Sequence, residues 1–77
     1  MPYPNEHSCR LASPSEFVRF RRIKNFRGSG YDVIMGFRKD GGSAIQAIRY
    51  PTGRWTRVKA QKHCEEKGGK FHPASQA

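Results

Sequence analysis

Apolar and polar positions alternate most regularly over Tyr31-Asp32-Val33-Ile34-Met35-Gly36-Phe37-Arg38. A period of two sets Tyr31, Val33, Met35 and Phe37 on one face and predicts a strand. Lys39-Asp40-Gly41-Gly42 follows, and its Asp-Gly pair tolerates the positive φ angles of a tight hairpin, so Ser43–Tyr50 is expected to return antiparallel. Pro51-Thr52-Gly53 closes that strand. Upstream, Arg19–Lys24 carries the β-branched Ile23 and is soon followed by the Gly28-Ser29-Gly30 breaker, which reads as a first strand. Phe17, Phe20 and Lys24 also stand at helical spacing, so a preceding helix could extend into this segment.

Two segments carry helix signals. At Ser13-Pro14-Ser15-Glu16, Ser13 suits an N-cap, Pro14 the first helical position, and Glu16 the reciprocal bond of a capping box. A short N-terminal helix is expected there. Thr56 is an N-cap for a second helix from about Arg57 to Lys67, ended by Gly68-Gly69 through a left-handed cap. Ala60 and Cys64 mark its inner face, while Arg57, Lys59, Lys62 and Glu66 face outward.

These elements predict an α+β fold with a short N-terminal helix, a three-stranded antiparallel sheet and a C-terminal helix packed on one face. Residues 1–8, with two prolines, read as an extended arm that packs through Tyr3. Residues 9–71 form the single domain, and residues 72–77 a tail behind Phe71. A chain of 77 residues supports one core. Its nine aromatic residues supply much of the burial, so the core should be thin and ring-rich.

Charge changes the picture. Fifteen Lys and Arg oppose six Asp and Glu for a net charge of +9, and a surface of that sign attracts polyanions. Arginine predominates among the cations, and its guanidinium suits bidentate phosphate contacts. The segment lacks an apolar run long enough to cross a bilayer and a signal-like N-terminus, so a soluble protein in a reducing cytoplasm is expected, with its cysteines free. No membrane partner and no cofactor are expected.

His7, Cys9, His63 and Cys64 offer the four nitrogen and sulfur ligands of a structural zinc site. Their spacing argues against it, because adjacent helical residues diverge by about 100° and no CxxC knuckle is present. The same divergence separates Cys64 from His63 as nucleophile and base, and Glu65-Glu66 reads as a solvated helix turn. The glycine-rich segments lack the order of a phosphate-binding loop and read as hairpin connections. No catalytic residue is assigned, and an enzyme is the least expected class.

The basic residues cluster at Arg19, Arg21, Arg22, Lys24 and Arg27, at Arg38 and Lys39, and at Arg49, Arg54, Arg57, Lys59 and Lys62. Strand alternation sets Arg19 and Arg21 on the face opposite Arg22 and Lys24, so the first group is not one flat patch. Arg54, Arg57 and Lys59 surround the start of the second helix, where fixed cations and the helix dipole together suit a phosphate. The expected phosphate contacts are Arg19, Arg21, Arg22, Lys24, Arg49, Arg54, Arg57 and Lys59. Tyr50 and Trp55 are candidates for base stacking or a protein interface, although an aromatic just before a helix is more often a core staple.

At Glu6-His7-Ser8-Cys9-Arg10-Leu11, at Gln46-Ala47-Ile48-Arg49-Tyr50-Pro51, and from Trp55-Thr56 into His63-Cys64-Glu65-Glu66-Lys67-Gly68-Gly69-Lys70-Phe71, the chain resembles a family of short domains encoded by tailed bacteriophages in their structural gene regions. The Tyr31–Gly36 segment fits the same pattern. The resemblance implies a viral origin, a small α+β unit, and a setting in the host cytoplasm or the virion. It brings no established activity or site residue.

Two functions are therefore expected to compete. One is nucleic-acid binding through phosphates without catalysis, with DNA and RNA undistinguished. The other is a protein-interaction or assembly module, either head-associated or an inhibitor of a host factor, docking a phage or host protein through exposed aromatics such as Tyr3, Tyr50 and Trp55. Oligomeric state is left open.

Overall fold

The structure, a computed structural model, describes residues 4–74. Pro2 and Tyr3 of the arm and the last three residues of the tail lie outside the described residues. The sequence-derived strands and second helix occur where expected, within a larger sheet. Five strands pair: β1 (Glu6–Arg10), β2 (Arg19–Ile23), β3 (Asp32–Phe37), β4 (Ser43–Pro51) and β5 (Lys70–His72), with one helix, α1 (Arg57–Glu66). All pairings are antiparallel, in the order β2-β3-β4-β1-β5.

The expected three-stranded sheet is thus corrected to five strands. The two additional strands come from segments with weak alternation. β1 takes in residues assigned to the arm; its buried positions, His7 and Cys9, alternate in the structure but do not stand out as strongly apolar in the sequence. β5 has three residues, too few to show a period. Their partners supply what the local sequence does not, since β1 lies between β4 and β5 with a hydrogen-bonded neighbour on each side.

The expected N-terminal helix is corrected as well. Its capping signals form: Ser13 accepts from the Ser15 amide, and the Glu16 carboxylate accepts from the Ser13 amide at 3.3 Å. They initiate only a single 3-10 turn, Pro14–Glu16, and Phe17 is already extended at φ −124°. Capping specifies where a helix starts and not how far it runs. Phe17-Val18-Arg19-Phe20 favours extended backbone, and pairing of β2 with β3 outweighs the helical spacing. The buried Phe17 ring covers Gly36, where any Cβ would overlap it.

Register explains the core. Ile23, Val33, Ile48, Cys9 and Phe71 form one cross-strand row through all five strands, and paired residues share a face. α1 packs over the β1 and β5 end of this row. Ala60 and Cys64, the residues expected on its inner face, join Cys9, Val33, Ile48 and Tyr50 in the buried cluster. Thr56 caps α1 by accepting from the Lys59 amide at 3.2 Å, and Gly68 follows with φ 76°.

Cys9 and Cys64 are joined by a disulfide across a Cα separation of 5.5 Å. The expectation of free cysteines is corrected accordingly. Packing of α1 over β1 sets the two residues within disulfide reach, a juxtaposition that residues 55 apart in sequence cannot announce.

Candidate functional site

The basic residues singled out in the sequence separate into three environments. The first is an ion-pair cluster on the sheet face away from α1. Arg22 donates to Glu6 at 2.7 Å and to Asp32 at 2.8 Å, and Arg49 lies 3.9 Å from Glu6. Register places these groups together, because Asp32 pairs with Arg49 across β3 and β4, and Glu6 lies two residues before Ser8, the β1 partner of Arg49. The Glu6 hydrogen bond leads the causes that raise the Arg22 pKa, with Asp32 adding to it. For Asp32, burial works upward but is outweighed by the Asn25 amide and the Arg22 guanidinium, which hold the carboxyl below its ordinary value. Arg22 and Arg49 are therefore structural cations already matched by carboxylates.

The second environment is the edge strand β2. Arg19 and Arg21 are exposed there, on the face opposite Arg22 as alternation predicts. The Arg19 guanidinium lies 5.1 Å from the Phe37 ring centre, over its cross-strand partner.

The third environment brings cations together. Two adjoining depressions share Gly30 and Arg54 in their walls. One, of about 300 Å³, is completed by Gly28, Ser29, Trp55 and Lys59. The other, of about 240 Å³, is completed by Lys24, Asn25, Asp32 and Pro51. Lys24, Arg54 and Lys59 thus border this pair of adjoining depressions, here called the groove, with Arg54 common to both. Among the described residues, the ion pairs engage Arg22, Arg38 and Arg49 and none of these three. Arg57 is exposed on the first turn of α1, outside both depressions.

The groove wall is the 24–31 connection, read from the sequence as a plain hairpin turn. Asn25 and Arg27 are left-handed at φ 46° and 53°, a conformation that non-glycine residues adopt uncommonly. The Asn25 side-chain oxygen accepts from the Gly30 amide at 2.9 Å, and Asp32 accepts from the Asn25 amide at 2.8 Å. The Ser29 hydroxyl accepts from the Tyr31 amide at 3.4 Å. The loop amides thus turn inward, so the loop supplies shape and the side chains of Lys24, Arg54 and Lys59 supply the cations. Trp55 fixes the loop to the start of α1, donating from Nε1 to the Gly30 carbonyl at 3.1 Å. A Cβ at Gly30 would meet both Trp55 and Arg54 below 4 Å.

The aromatic candidates lie inward. Tyr50 is fully buried, and its hydroxyl is 2.7 Å from Nδ1 of His63. Burial first, and then Tyr31, raises its pKa. Trp55 is half-buried and contacts Tyr31, Tyr50 and His63 edge-on or tilted at centroid distances of 5.9, 5.0 and 5.7 Å. Tyr50 is a core residue, and Trp55 is the staple between groove and core.

The four zinc candidates are also accounted for. Cys9 and Cys64 are bonded to each other, which leaves no thiolate for a metal. His63 is engaged with Tyr50, and His7 accepts from the Ala74 amide at 2.9 Å through Nδ1. Lys24, Arg54 and Lys59 are visible in the sequence as cations but the groove is not, because the Trp55–Gly30 bond and the Tyr31–Trp55 ring contact that join the two segments are long-range. Comparison with known proteins returned no match among family models, characterised proteins or solved structures.

Proposed function

We propose that this chain binds nucleic acid through phosphate contacts, without catalysis, along the Lys24–Arg54–Lys59 groove. The observation that carries this reading is the shared wall of the two depressions. Three cations outside the ion pairs border these adjoining depressions, whose loop wall is held by Trp55 and Asn25. A phosphodiester backbone offers repeating anions to such a row, and neutralising them releases condensed counterions. Asp32 borders the groove too, but its carboxylate is held by Arg22 and the Asn25 amide. Arg57 lies nearby on α1 to extend the contact, whereas Arg22 and Arg49 are engaged by Glu6 and Asp32. Cys64, the candidate nucleophile beside His63, is bonded to Cys9.

Within a viral setting, the buried disulfide favours the virion over the reducing host cytoplasm. A basic protein facing packaged nucleic acid fits the charge of +9.

The test separates groove from net charge. Lys24→Glu, Arg54→Glu and Lys59→Glu combined should weaken binding to short DNA and RNA by about tenfold or more relative to a control carrying Lys39→Glu, Lys62→Glu and Lys70→Glu. Equal loss in both variants would show that charge alone, and not this groove, holds the nucleic acid.

A further inference from the structure

The two edges of the sheet differ. β5 is three residues long and is followed by Pro73, features that blunt an edge against further pairing. β2 is five residues long, carries no proline, and pairs only with β3. Alternate residues of an edge strand direct their backbone amides and carbonyls outward. Of the three large apolar side chains that are exposed among the described residues, two, Val18 at 69% and Phe20 at 46%, lie on or next to this strand. α1 covers β1 and β5, at the opposite side of the sheet.

A second copy of the chain is a poor occupant. The strand reads Arg-Phe-Arg-Arg-Ile, and every antiparallel self-register that overlaps three or more of its residues sets an arginine opposite an arginine. Like charges directly opposite destabilise a strand pair, whereas opposite charges stabilise it. Arg19 and Arg21 are exposed and stand outside the ion-pair network, while Phe20 offers an apolar contact on the other face. An added strand with Glu or Asp facing Arg19 and Arg21, and an apolar residue facing Phe20, would match both.

We propose that the β2 edge is a docking site for an acidic extended segment of another protein, which adds as a sixth strand beside Arg19–Ile23. Backbone hydrogen bonds supply the affinity, and the alternation of acidic and apolar side chains sets the register. This site is separate from the Lys24–Arg54–Lys59 groove, and its occupant is protein.

The probe is a capped peptide of alternating Glu and Val, added to the intact disulfide-bonded protein. Two further versions carry N-methyl groups at alternate residues, one on each peptide edge. Binding should fall by about tenfold or more for the version whose methyl groups face β2, and little for the other. Amide exchange in Arg19–Ile23 should slow when the unmodified peptide is present. Arg19→Glu with Arg21→Glu should abolish binding while leaving the thermal midpoint near that of the parent, since both side chains are exposed. Equal binding by both methylated versions, absence of binding by the unmodified peptide, or protection appearing elsewhere in the chain would overturn the proposal. Stronger protection of β2 by a short oligonucleotide than by the peptide would overturn it in favour of a nucleic-acid edge.

Discussion

Cys9 and Cys64 stand 55 residues apart in the chain and 5.5 Å apart at Cα, joined by a disulfide that fastens β1 to α1 inside the core. A crosslink closing so long a segment restricts the unfolded chain, and the loop-entropy relation gives about 4 kcal/mol for it. A domain of this size has little stability to spare. Cys9→Ala with Cys64→Ala is expected to lower unfolding free energy by about 2–4 kcal/mol, read from urea denaturation with and without reductant. The parent should lose comparable stability on reduction, and the double variant should not respond to reductant. An unchanged midpoint in both experiments would remove the disulfide from the account of the fold.

Arg22 holds two carboxylates whose side chains are only 15% and 14% exposed, although its own side chain is 40% exposed. Removing it leaves Glu6 and Asp32 facing each other without their shared cation, and weakens the anchor of the Asn25 loop. Arg22→Ala should therefore cost about 1–2 kcal/mol, after allowance for solvent screening of the pair. Thermal unfolding in low and high salt tests this. The parent should lose more stability than the variant as salt rises, and parallel behaviour would contradict the assignment.

His63 and His72 make stability depend on pH in one direction. Burial, then the positive charge of Lys67, lowers the His63 pKa below its ordinary 6.5. Burial, then Arg10 and Lys70, does the same for His72, whose Nε2 is buried without a hydrogen-bond partner among the described residues. Both groups bind protons less readily in the fold than in the unfolded chain. Their contribution is complete above 6.5 and is lost as pH falls through the lower folded values. Denaturation midpoints should fall from about pH 7 to about pH 5, and His63→Gln should flatten that fall. A midpoint that rises on acidification would reverse the assigned signs.

Much of this architecture is legible wherever local sequence and tertiary need agree. Tyr31–Arg38 is legible because its period-two pattern suits the strand β3, and Thr56, Ala60, Cys64 and Gly68 mark α1 because capping and burial are local to it. Ser13-Pro14-Ser15-Glu16 fulfils a capping box and still yields one turn, since Phe17 is needed over Gly36. β1 is illegible for a different reason: only its place between β4 and β5 makes Glu6–Arg10 a strand. The candidate site divides the same way. Lys24, Arg54 and Lys59 are visible as cations, but which arginines are matched by acids depends on register, and the sequence places Arg22 and Arg49 beside them without distinction.

Phosphate binding along the groove bordered by Lys24, Arg54 and Lys59 should leave a local footprint in the chain. It is tested most directly by following the backbone amide resonances of the labelled protein as a short oligonucleotide is added at near-physiological salt. The largest shifts should fall in 24–30 and 54–59, with the 39–42 turn and β5 nearly unchanged. Shifts spread evenly over the basic surface, or concentrated on β2, would contradict it.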